Sequence, residues 1–222
     1  MNDKTNLRGK YFEIEISGGS NQKGELVDYG LDILVLHNQA GNSFIYIPTI
    51  HIQKMKQGKK EEEVQIQEKG DNPLEMDAIS FRKILMAAKG MFIQINVTGK
   101  KTIHGYLTSI MNDYFVFHSP VFKTMYISMN HVKWLIPYPP NATPYSLSQE
   151  QISLLPYTSP LSRSFEEQIK KHENQLVILD GGTDTDKIGL IDQVHDRVIT
   201  LINAERETIY LNIEHIKSIQ FP

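Results

Sequence analysis

Three histidines sit at equal distance behind a tyrosine, in Tyr46-Ile47-Pro48-Thr49-Ile50-His51-Ile52, Tyr126-Ile127-Ser128-Met129-Asn130-His131-Val132 and Tyr210-Leu211-Asn212-Ile213-Glu214-His215-Ile216. Three imidazoles suffice to hold a catalytic metal with an open position if the fold gathers them. A metal-dependent enzyme built on His51, His131 and His215 is therefore one reading. Each histidine, however, holds the same place in its own copy of a repeated stretch. Tandem copies keep equivalent residues apart, and a lone His is a weak ligand signal. The expectation is that each imidazole anchors a turn at a strand corner, with no metal.

Other candidate chemistry is thin. Gly18-Gly19 and Gly181-Gly182 lack the following helix and the Lys-Ser or Lys-Thr pair of a phosphate loop, so they read as hairpin glycines. Asp184 and Asp186 lack the further oxygen ligands of a calcium site and read as a polar loop. There is no Cys, no Gly-flanked serine elbow and no His-Glu-x-x-His stretch. The expectation is a chain with no catalytic residue, no cofactor and no enzymatic activity.

The elements that position these residues repeat with them. About twenty residues before each tyrosine stands a glycine with an aliphatic residue two places on: Gly24 and Leu26, Gly105 and Leu107, Gly189 and Ile191. After each histidine comes an apolar residue, Met55, Leu135 or Ile219. A pattern of this length in constant order marks an internal repeat. Repeat 1 runs over 8–56, repeat 2 over 90–136 and repeat 3 over 174–222. Tyr11-Phe12-Glu13-Ile14-Glu15-Ile16 alternates as a half-buried strand does, and Ile33-Leu34-Val35-Leu36 is continuously apolar. Four or five short strands with tight turns predict a mainly β protein of three tandem small Sm-like or SH3-like barrels.

Two connectors join them. Residues 57–89 open with the charge run Lys59-Lys60-Glu61-Glu62-Glu63, read as a solvated linker, and close with a helix capped by Asp77 and ended by Gly90. Residues 137–173 begin with Pro137-Tyr138-Pro139-Pro140-Asn141-Ala142-Thr143-Pro144, an extended segment, and end in a helix opened by the Ser164/Glu167 capping box.

A formal net charge of −3 argues against a general electrostatic grip on nucleic acid. Lys100, Lys101, Lys123 and Lys133, beside Tyr106 and Trp134, give repeat 2 a local basic character, and an Sm-like single-stranded RNA-binding module is the alternative reading. The polar start lacks a secretion signal, and no apolar run nears the eighteen or so residues that cross a bilayer. The expectation is a cytoplasmic protein that does not enter a membrane.

Laid out by repeat, the chain resembles the spore coat protein B family of Bacillus-type endospore formers. The matching residues are Ile16-Ser17-Gly18-Gly19 through Gly24-Glu25-Leu26, Ile45-Tyr46-Ile47 through His51-Ile52-Gln53, Leu74-Glu75-Met76-Asp77, and Leu179-Asp180-Gly181-Gly182 through Gly189. The most specific is Tyr210-Leu211-Asn212-Ile213-Glu214-His215-Ile216-Lys217-Ser218-Ile219. The resemblance implies a structural component of the spore coat, assembled from the mother-cell cytoplasm, with other coat proteins as partners and a homo-oligomer as an option. Better-known members carry a phosphorylated Ser/Lys-rich tail; this sequence stops at Pro222. On this reading Gly24, Tyr46, His51, Gly105, Tyr126, His131, Gly189, Tyr210 and His215 form a structural motif.

Overall fold

In the computed structural model, residues 7–59, 70–99, 101–139, 142, 144–147 and 160–222 are described. Most of the charge run (60–63) with Val64 and Ile66, Lys100, and Pro140, Asn141, Thr143 and Pro156 of the second connector lie outside them. The fold is mainly β. Repeat 1 supplies β1 (Tyr11–Ile16), β2 (Ser20–Tyr29), β3 (Ile33–Asn38), β4 (Ser43–Pro48) and β5 (Ile52–Gln57). Helix α1 (Phe81–Ala87) precedes β6 (Phe92–Asn96), β7 (Thr102–Ile110), β8 (Tyr114–Ser119), β9 (Lys123–Ser128) and β10 (Trp134–Pro137) of repeat 2. Helix α2 (Phe165–Lys170) precedes β11 (Leu176–Leu179), β12 (Ile188–His195), β13 (Val198–Ile202), β14 (Thr208–Asn212) and β15 (Ser218–Gln220) of repeat 3.

The chain forms two compact units. The first comprises Met1–Ile103 with Val132–Pro139, the second His104–His131 with Pro140–Pro222. In the first, the strand order is β6-β10-β4-β3-β2-β1-β5, each neighbouring pair antiparallel. In the second it is β14-β13-β12-β11-β15-β9-β8-β7, again antiparallel throughout.

One rule underlies both orders. The fifth strand of a repeat returns to pair with its own first strand, β10 with β6 and β15 with β11. Its other side takes the fourth strand of the preceding repeat, so β10 pairs with β4 and β15 with β9. Repeats are thus joined by main-chain hydrogen bonds, which satisfy edges that would otherwise need water.

The repeated glycines have a backbone reason. A Cβ on Gly24, Gly105 or Gly189 would lie 2.5, 2.3 or 2.2 Å from the carbonyl oxygen of His37, His118 or Ile202 on the neighbouring strand. Only a residue without Cβ allows that approach. Beyond the following aliphatic, a register shift recurs, between Leu26 and Asp28, Leu107 and Ser109, and Ile191 and Gln193. Such a bulge bends the strand and strengthens its twist.

Burial follows the sequence pattern. β3 and β8 are buried along nearly their whole length, as their continuous apolar runs require. Phe12, Ile14, Ile16, Leu26, Leu34, Leu36, Ile45, Ile47 and Trp134 form the core of the first unit. In the second, Val177, Leu179, Ile191, Ile199, Ile216 and Ile219 of repeat 3 share one core with Tyr114, Val116 and Tyr126 of repeat 2.

The helices are short. In α2, Ser164 Oγ accepts from the Glu167 N–H, as the capping-box spacing predicts. For α1 the structure corrects the expected cap: Ser80, not Asp77, occupies it and accepts from the Lys83 N–H. Ala78 takes a φ of 49° between Asp77 and Ser80, so the chain turns away before the helix starts.

Candidate functional site: tyrosine–histidine corners and strand edges

Each Tyr/His stretch folds as the end of a fourth strand and one 3₁₀ turn, with the fifth strand starting at its last residue or two positions beyond. The turns are Thr49–His51, Met129–His131 and Ile213–His215. Each is tied to the hairpin between the second and third strands. The N–H of Thr49, Met129 or Ile213 donates to the carbonyl of Asp32, Asp113 or Arg197, at 2.8 Å every time. His51 Nδ1 lies 3.1 Å from Ser17 Oγ. His131 Nε2 donates to the Glu214 carbonyl at 2.8 Å, joining the corners of repeats 2 and 3. His215 is exposed. His131 and His215 lie in the second unit and His51 in the first. Among the described residues no group of three or more His, Asp or Glu side chains is placed to hold a metal ion.

Burial lowers the pKa of His131, partly offset by its bond to the Glu214 carbonyl and reinforced by Lys217. Burial likewise lowers His104, His118 and His172. A histidine depressed on folding binds fewer protons in the folded than in the unfolded state near its ordinary pKa of about 6.5. Stability is therefore fully present above that pH and is lost as pH falls through the window below it. The melting temperature is expected to drop between pH 7.5 and pH 5, and His131→Gln is expected to flatten the slope. A profile unchanged by the substitution would show that His131 carries none of it.

The tyrosines diverge as well. Tyr46 and Tyr126 are 0% and 1% exposed, whereas Tyr210 is 72% exposed. Tyr46 Oη donates to Asn72 Oδ1, and burial holds its phenol far above the ordinary range. The Tyr126 ring lies 5.8 Å from Phe221, 5.7 Å from His172 and 5.9 Å from Tyr114. The partners on the fifth strands explain the difference. Tyr46 stands opposite Leu135 and Tyr126 opposite Ile219, and both aliphatic residues are fully buried. Met55, their equivalent in repeat 1, is 39% exposed. Neither the outer side of β14 nor that of β5 has a strand partner among the described residues.

Next to β5 an apolar groove of about 350 Å³ is lined by Leu7, Leu26, Leu34, Ile52 and Met55, among others. The counterparts of its Leu26, Leu34, Ile52 and Met55 in repeat 3 are Ile191, Ile199, Ile216 and Ile219, which share one buried cluster with Tyr126. The groove of repeat 1 is thus lined by residues whose counterparts in repeat 3 share a core with a fourth-strand tyrosine.

Two carboxylate devices escaped the sequence reading. Asp32 Oδ1 accepts from the Phe81 N–H and Asp113 Oδ1 from the Phe165 N–H, both at 2.8 Å. Each clamps the helix leading to the next repeat onto the hairpin of the repeat before it. The equivalent of both is Arg197, which cannot accept that bond. The second device is Asp180, which is 4% exposed. Its Oδ1 accepts from the N–H groups of Lys217 (2.7 Å) and Ser218 (3.1 Å), and Lys187 Nζ donates to Oδ2. Of the basic set in repeat 2, Lys133 is buried and so is Trp134, which leaves them off the exposed surface.

A family model described as the YwrJ third domain matches residues 164–219, from the N-cap of α2 into β15. Over 215 residues the chain is 41% identical to the uncharacterized protein YwrJ of Bacillus subtilis (strain 168), covering 95% of each. The chain belongs to the YwrJ family. The matched segment contains Tyr210 to Ile219, together with Asp180 and its bonding partners. No helix among the described residues of this YwrJ-family chain is long and apolar enough to cross a membrane.

Proposed function

We propose that the chain is a non-enzymatic assembly scaffold of the bacterial spore coat, made of three small Sm-like barrels and deposited on the spore from the mother-cell cytoplasm. The coat assignment draws on the resemblance to spore coat protein B, and a family relative from Bacillus subtilis fits that source. The assembly half rests on one observation: the chain joins its repeats by strand exchange, β4 to β10 and β9 to β15, and among the described residues leaves one strand of each type open on its outer side. Strand addition at an open edge is an established way for proteins to recruit one another. Other coat proteins are the partners this reading names.

A fluorescent fusion in sporulating Bacillus is expected to appear only in the mother cell and to end on the spore surface. A fusion that stays diffuse, or is made in vegetative cells, overturns the coat reading. Salt-sensitive binding of oligo-U at micromolar affinity would put an RNA-binding module in its place.

A further inference from the structure

The two open edges are complementary to each other. We propose that copies of this chain associate head to tail, β14 of one copy pairing antiparallel with β5 of the next and Tyr210 entering the groove beside Met55. This deepens the assembly-scaffold reading and rests on it.

The contact already occurs twice inside the chain. Where β9 meets β15 the pairs are Ile127 with Ser218, Tyr126 with Ile219 and Met125 with Gln220. Where β4 meets β10 the pair is Tyr46 with Leu135. Carried one repeat further, the same register sets Tyr210 opposite Met55, Leu211 opposite Lys54 and Ile209 opposite Lys56. The backbone bond from the Ser128 N–H to the Lys217 carbonyl, 3.0 Å, becomes one from the Asn212 N–H to the Gln53 carbonyl of the next copy. The bond from His131 to the Glu214 carbonyl becomes one from His215 to the carbonyl of Ile50, a residue whose side chain is 74% exposed.

Exposure points the same way. The fourth-strand tyrosine and fifth-strand apolar residue are buried in both internal contacts and exposed only at the two ends. Lys54 and Lys56 on β5 discourage indiscriminate edge pairing, as edge lysines do. They are opposite in sign to the exposed Glu205 and Glu207 that lead into β14, so the charges favour this partner over β5 meeting β5. A contact between unlike surfaces does not cap itself, and it builds a ring or a filament according to the rotation at each step.

The chain contains no Cys, so Met55→Cys and Tyr210→Cys can be introduced one at a time. Residues directly opposite in an antiparallel pair stand about 4.5–5.5 Å apart at Cβ, near disulfide reach. Oxidising an equal mixture of the two variants is expected to give a mixed covalent dimer as the main product, with each variant alone remaining uncrosslinked. Self-crosslinking equal to mixed crosslinking, or no crosslinking, overturns the proposal.

Light scattering supplies the second readout. The natural chain is expected to show masses above a dimer that fall on dilution. Tyr210→Glu and Met55→Glu are each expected to be monomeric, and their mixture to stop at a one-to-one dimer. Both positions are exposed, so folding is expected to survive, as circular dichroism would verify. A natural chain that stays monomeric, or assemblies that persist in both variants, overturns the proposal. A monomeric chain that still reaches the spore surface removes this inference and leaves the coat reading standing. A chain that assembles this way but never reaches the spore removes the coat reading alone.

Discussion

Tyr126→Ala is expected to destabilise the second unit by about 3–5 kcal/mol, the usual cost of removing a large buried ring. The ring is 1% exposed and packs among residues of two repeats, against Tyr114 on one side and Phe221 and His172 on the other. The cavity cannot easily collapse, because its walls are strands fixed by ladder bonds on both sides of β9, to β8 and to β15. Tyr210→Ala, the same substitution at the equivalent position of repeat 3, is expected to change the stability of a dilute chain by under about 0.5 kcal/mol, as exposed sites do. Urea unfolding of the two variants beside the natural chain measures the contrast. Equal losses would mean that the exposure of β14 is not the reason its tyrosine differs.

The second large effect is at Asp180. Asp180→Ala removes the acceptor of two backbone N–H groups at the start of β15 and the counter-charge of Lys187. Breaking such a buried pair from one side typically costs about 3–5 kcal/mol, because the surviving charge stays poorly solvated. Lys187 keeps some access to water, which places the expectation at the lower end of that range. Amide hydrogen exchange at Lys217 and Ser218 is expected to accelerate more than elsewhere in repeat 3. Asp180→Asn, which retains an acceptor oxygen, is expected to recover part of the loss. An alanine variant as stable as the natural chain would show that Asp180 is dispensable to the corner.

What the sequence made legible were features with a local or periodic signature. The alternation of β1, the apolar run of β3, the glycines at the hairpins and the Ser164/Glu167 box each carry their structure in a few neighbouring residues. The start of α1 was not legible in this way. Asp77 and Ser80 both precede the apolar face, and local rules cannot choose between them. The choice is made by Asp32, far away in sequence, whose carboxylate accepts from the Phe81 N–H.

Strand exchange escaped for the same reason, since nothing near Leu135 announces that its partner is Tyr46. The repeat did mark both residues as equivalent to Ile219 and Tyr126, but equivalence does not say which faces which. Asp32 and Asp113 had a usable signal: each directly precedes its central strand, at the same offset from the repeated glycine.

The pairing of β10 with β4 also dictates a timetable for biogenesis. A nascent polypeptide leaving the ribosome displays the bare edge of β4 until the segment holding Leu135 emerges, and β9 waits in turn for Ile219. Closing contacts so distant along the chain is slow, and an uncovered edge is sticky for as long as it lasts. Slowing translation between residues 57 and 134 would lengthen that vulnerable interval, and a ribosome stalled there would release a fragment prone to aggregate through Tyr46.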